Sequence, residues 1–93
     1  MLSKIPMDLS KVKPADFDKE ILRAAIIAEL DAINLYEQLA ATTSSKALKT
    51  ILLDVAKEEK THVGEFQALL LRMDKEQVEE MDHGKKEVEE LIG

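Results

Sequence analysis

The sequence has no cysteine, which excludes disulfides, thiolate metal sites and the four-cysteine iron centre of a rubredoxin. Tryptophan is also absent, and Phe17, Tyr36 and Phe66 are the whole aromatic complement, so any core must be aliphatic. Glycine is scarce and proline stands only at positions 6 and 14, which leaves little to interrupt helix. There is no basic surplus. A formal charge of −6 argues against nucleic acid as a main partner and suits cations better. Long apolar runs are missing too. The longest, Ala24 to Ala28, is far too short to span a membrane. The opening stretch MLSKIPMDLSKVKPADFDKE has no apolar core of the signal-peptide kind, so a cytoplasmic location is expected.

What remains is a chain rich in Ala, Leu, Glu and Lys. Its 93 residues suffice for one small all-α domain. Residues 1–13 read as an irregular tail. Pro14 suits a first helical turn, with Asp16 and Asp18 near the positive end, and helix A runs from about 14 to 41. Thr42, Thr43, Ser44 and Ser45 form a polar turn of capping residues. Helix B runs from about 45 to 73. Asp74 caps a short third helix at about 75–92, which Gly84 is expected to break or bend.

Both long helices carry an apolar stripe with a polar interruption. Leu22, Ile26, Ile33, Tyr36 and Ala40 mark the first, with Glu29 in its middle. Leu48, Leu52, Val55, Phe66, Leu69 and Met73 mark the second, interrupted by Glu59 and His62. The spacing Glu59-Lys60-Thr61-His62 puts both side chains on one helix face. A Glu on one helix and Glu-x-x-His on the next is half the ligand set of a four-helix di-iron carboxylate site. With the turn centred near residue 44, an antiparallel hairpin sets residue i opposite roughly 88 − i, so Glu29 faces Glu59. Such a hairpin cannot cover its own seam, and a second copy across a two-fold axis would complete a four-helix bundle and the ligand set.

Ionised carboxylates among apolar neighbours cost several kcal/mol each, at roughly that order, unless compensated. They can be protonated, pair with Lys or Arg, or bind a metal, and neither stripe contains a cation. In a homodimer, four carboxylates and two divalent ions cancel in charge. Hard oxygens with one imidazole per ion suit iron or manganese, with zinc a further substitute. The bland alternative is a polar layer that fixes dimer register. A second Glu-x-x-His, Glu80 to His83, lies off its helix's apolar stripe and reads as solvated surface.

Around the proposed ligands, Ala25, Ala28, Ala32 and Ala56 leave room. Tyr36 shares the stripe with Glu29 and is expected in a supporting contact. Glu58 and Glu65 flank His62 and are candidates to orient it. Asp31, Glu37 and Asp54 read as solvated face. Ile21, Ile27, Leu35, Leu39, Ile51, Leu70 and Leu71 lie off the ligand stripes, so assembly beyond a dimer is expected.

The stretches AELDAINLYEQLA and ILLDVAKEEKTHVGEF resemble the encapsulated ferritin family, over roughly residues 18 to 83. The resemblance implies an antiparallel two-helix subunit with a short third helix, dimerising into a ferritin-like four-helix bundle. It implies a ferroxidase that oxidises Fe(II) to Fe(III) at a di-iron site across the homodimer, two irons per dimer, with Glu29, Glu59 and His62 as ligands and Tyr36 nearby. Dimers of the family close into a ring, typically a decamer, and an encapsulin shell stores the product, so a place inside an encapsulin nanocompartment is implied. Leu35 stands where some relatives have Trp. Ala28 and Asp31 stand where some carry the Glu residues of a metal-uptake site. A rubrerythrin-like di-iron or di-manganese peroxidase or oxidase is the alternative enzyme, and a non-catalytic helical assembly protein is the third reading.

Overall fold

The computed structural model describes residues 8–93; part of the expected 1–13 tail, residues 1–7, lies outside them. Single 3-10 turns occupy Leu9–Lys11 and Pro14–Asp16, and three helices follow: α1 (Phe17–Thr42), α2 (Lys46–Met73) and α3 (Lys75–Ile92). Lys13, held extended before Pro14, aims the chain into the second 3-10 turn. That turn passes directly into α1, so the regular helix starts three residues later than Pro14 alone suggests.

Each helix end is built from the residues at hand. Thr42 Oγ1 donates to the Leu39 carbonyl, and Thr43 Oγ1 accepts from the Ser45 N–H. Ser45 Oγ then accepts from the Leu48 N–H at 3.2 Å and caps α2. Three residues therefore suffice to reverse the chain, and α1 and α2 pack as an antiparallel hairpin. Among the described residues all regular structure is helical. Gly84 does not break α3; an exposed glycine with no neighbour around it lowers helix propensity without forcing an end.

The buried seam consists of Leu22, Ile33 and Ala40 on α1 with Ala56 and Leu70 on α2. The first stripe holds its expected place. The second holds it in part: Leu52, Val55 and Phe66 are half-buried, Leu48, Leu69 and Met73 stay exposed, and Ala56 and Leu70 are the buried apolar residues of α2. Helix α2 thus has two adjacent apolar faces, and α1 covers one. A helix in a four-helix bundle needs that width, since it touches two neighbours. Leu70, expected off the seam, is in it; Ile21, Ile27, Leu39 and Ile51 are exposed.

The hairpin is long and thin, with α3 attached at one end. The radius of gyration is 16.5 Å, against about 12 Å for a compact chain of this length. Two extents are long, 46 and 41 Å, and the third is 20 Å. The 28 residues of α2 account for one long extent at 1.5 Å per residue. The other reflects α3 leaving the hairpin sideways, with Val78, Met81, Val88, Leu91 and Ile92 exposed along it.

Candidate metal centre

Glu29 lies near the middle of α1, and Glu59 and His62 lie one turn apart near the middle of α2. The fold brings all three together. One donor atom from each lies within 4.8 Å of the others, the one such group among the described residues. His62 Nδ1 is 3.3 Å from Glu29 Oε2 and 3.4 Å from Glu59 Oε2. The carboxylates are only 20% and 19% exposed, whereas the imidazole is 44% exposed. The cluster is thus backed by the hairpin and open on one side.

The register is offset from the rule 88 − i. Glu29 meets His62 as well as Glu59. Further along, that rule assigns 51 to Glu37 and 65 to Arg23, yet Glu37 pairs with Lys60 and Arg23 with Asp74, each nine positions further. Helical side chains lean toward their own N-terminus. In an antiparallel pair the two leans run in opposite directions, so side-chain tips meet further along α2 than backbones do.

No Lys or Arg among the described residues pairs with either carboxylate. Among the described residues the ion-pair partner of both Glu29 and Glu59 is His62, while Lys60 is drawn to Glu37 on an exposed face at 2.9 Å. The donor set fits a hard divalent ion. Ligands at about 2.1 Å from such an ion and at right angles stand about 3.0 Å apart. The observed 3.3 and 3.4 Å separations need only a small contraction. Two carboxylates and one imidazole still leave coordination positions unfilled within one chain.

Glu80 and His83 on α3 supply an internal contrast. Their Oε2 and Nδ1 are also 3.3 Å apart, but both side chains are more than 60% exposed and, among the described residues, no third donor joins them. The i, i+3 contact is a property of the helix; the third donor from another helix distinguishes the centre. Tyr36 is half-buried on α1, and Glu58 and Glu65 are exposed on α2. None of the three touches His62 through a hydrogen bond or ion pair among the described residues. Glu37, expected to be merely solvated, ties α1 to α2 through Lys60; no local signal marks that pair.

Residues 20–92 match the rubrerythrin family. Over 95 aligned positions the chain is 57% identical to a ferritin-like-encapsulin shell fusion protein of Pyrococcus furiosus, covering 100% of this chain and 28% of that protein. Over 68 positions it is 43% identical to the encapsulin nanocompartment cargo protein EncC of Myxococcus xanthus, covering 73% of this chain and 50% of that one. The chain thus spans half or less of the length of these two curated relatives. The crystal structure of the encapsulated ferritin domain from Pyrococcus furiosus superposes with a TM-score of 0.85 at 56% identity, covering 100% of this chain and 97% of that one. The chain therefore belongs to the rubrerythrin family of ferritin-like proteins. Within it, the encapsulated ferritins are its group, as the two quoted stretches imply.

Proposed function

We propose that the chain is a ferroxidase subunit that oxidises Fe(II) to Fe(III) at a two-iron site completed by a second copy. The observation that carries this reading is the convergence of Glu29, Glu59 and His62 from two helices, with no Lys or Arg paired to the carboxylates among the described residues. The open side of the cluster and the uncovered apolar face of α2 support a two-fold partner there. Two copies supply four carboxylates and two imidazoles, and two divalent ions cancel the four negative charges.

Fe(II) is the substrate. Two ions give up one electron each, and dioxygen with two protons leaves as hydrogen peroxide; peroxide as oxidant leaves, with two protons, as two waters. Glu29 and Glu59 are hard anionic donors and favour the higher-charged product ion. His62 gives a lone pair from one ring nitrogen and so must be neutral when it binds. Buried Ala56, on the helix that carries Glu59, keeps side-chain bulk near the ions low. Manganese or zinc can occupy the same donors. Tyr36, half-buried on α1, and Glu58 and Glu65, exposed on α2, are assigned the supporting part around these ligands.

The relatives support a destination for the product. One is named a shell fusion and the other a nanocompartment cargo protein. The reading is that this domain works inside an encapsulin compartment as a ring of dimers, and that the shell stores the ferric iron. Among the described residues no helix is long and apolar enough to cross a membrane.

A rubrerythrin-like peroxidase or oxidase is the second reading, favoured by the family match over residues 20–92. Anaerobic Fe(II) titration followed by native mass, then exposure to oxygen, tests both. The ferroxidase reading expects one iron per subunit, metal-promoted association, and ferric product that accumulates without a reductant. Steady turnover that requires a reductant and leaves no ferric product would favour the second reading. Unchanged oxidation in Glu59→Ala would remove the site altogether.

A further inference from the structure

We infer that Asp74 is a one-residue joint whose ion pair with Arg23 sets the angle at which α3 leaves the hairpin. Helix α2 ends at Met73 and α3 begins at Lys75, so one residue makes the whole connection. Its φ of −131° and ψ of 89° break the helical path. Every polar group of Asp74 is engaged. Its N–H donates to the Leu70 carbonyl at 3.0 Å, and its own carbonyl accepts from Val78 N–H at 3.3 Å. Side-chain Oδ1 accepts from the Gln77 N–H at 3.0 Å and caps α3. Oδ2 accepts from an Arg23 guanidinium N–H at 2.9 Å and ties the joint to α1. One carboxylate thus starts α3 with one oxygen and aims it with the other.

The aim is not fixed by packing. Val78 and Met81, which lie on the first turns of α3, remain exposed. The ion pairs recorded further along, Lys86 with Asp82 and His83 with Glu80, are internal to α3. Between α3 and the hairpin lies a cavity of about 450 Å³, bounded by Arg23, Ile26, Leu70, Leu71, Gln77 and Met81. Arg23 is one of the residues that line this open space, so the residue that holds Asp74 also borders the gap between α3 and the hairpin. Helix α3 is about 27 Å long, and a swing of about 20° would carry its far end about 9 Å. A small change at Asp74 therefore moves the apolar residues Leu91 and Ile92 a long way. The inference rests on no reading of the metal centre.

Because the chain has no cysteine, two labels can be placed cleanly. Lys57→Cys on α2 and Glu90→Cys on α3, both exposed, carry a pair of spin labels, with labelled chains diluted into excess unlabelled chain. The parent should give one narrow distance peak. Arg23→Gln and Asp74→Asn should each shift the mean and abolish the single peak, and the double variant should do no more than either. Asp74→Asn keeps a capping oxygen, so helicity by circular dichroism should hold. Glu37→Gln, which removes the Lys60 bridge between α1 and α2, should leave the peak unchanged. An unshifted peak in Arg23→Gln overturns the inference. So does a shift seen only in Asp74→Ala, which would assign the angle to the cap alone.

Discussion

His62 reaches across the hairpin to Glu29: its Nδ1 lies 3.3 Å from an Oε2 that belongs to a residue 33 positions earlier. That bond converts a local helical spacing into a tertiary site. His83 and Glu80 share the spacing and the 3.3 Å distance but remain a surface pair. Chemistry that depends on the third donor should separate the two histidines completely.

His62→Ala should weaken Fe(II) binding by at least about 100-fold, since loss even of a group that only orients a ligand costs 10–100-fold. His83→Ala should leave both affinity and stoichiometry unchanged. Anaerobic titration of each variant checks this. Equal losses in the two variants would move the site to α3, and no loss in either would leave the imidazoles without a role.

The carboxylates should oppose stability when no metal is present. Glu59 is largely withdrawn from water and shares His62 with a second carboxylate, Glu29, so removing one of the two like charges relieves a repulsion of about 1 kcal/mol. Metal-free Glu59→Leu should therefore melt higher than the metal-free parent, by roughly 4–8 °C for each kcal/mol gained. Adding Fe(II) should reverse the order, because only the parent gains binding energy. Calorimetry with and without metal distinguishes this from a polar layer kept for register, for which Fe(II) would change neither curve.

These expectations were legible in the chain because they depend on helical geometry. Glu29, Glu59 and His62 stood out as polar residues inside stripes of fixed period, and a hairpin about residue 44 brought them level. Two features were less legible. The rule 88 − i counts backbone positions, whereas side chains lean, so the pairs Glu37–Lys60 and Arg23–Asp74 fall nine places further on. The second stripe was legible only in part, with Leu52, Val55 and Phe66 half-buried and the rest exposed. Apolar periodicity shows that a face of α2 is covered, but not that α1 covers Ala56 and Leu70 while Leu48 and Met73 await something else. Both shortfalls are tertiary facts with no local signature.

Gly84 shows the limit of a breaker signal. It sits within α3, and a Cβ built on it meets nothing within 4 Å. An alanine there loses less backbone entropy on folding and has no clash to offset the gain. Gly84→Ala should stabilise α3 by about 0.5–1 kcal/mol, read as slower amide exchange from residues 80–90. Faster exchange would mean that the position makes a close approach in the assembled protein.

Acid should loosen α3 through Asp74. Its carboxyl is held below the ordinary 3.8, chiefly by the hydrogen bond from the Gln77 N–H and further by Arg23 and Lys19 of α1; partial burial works the other way. The folded value is depressed, so the stabilisation is present above the ordinary value and is lost as pH falls through the folded one. The charged groups that face Asp74 are Arg23 and Lys19 of α1, and its partners from α2 and α3 are backbone groups. The distance between labels at positions 57 and 90 should hold from neutrality down to the ordinary carboxylate range, then spread on further acidification. In Asp74→Asn the spread should already be present at neutral pH and should change little on acidification. A parent peak that stays narrow in acid, or a variant that responds as steeply as the parent, would assign the acid response to carboxylates elsewhere and take the joint's ion pair out of the account.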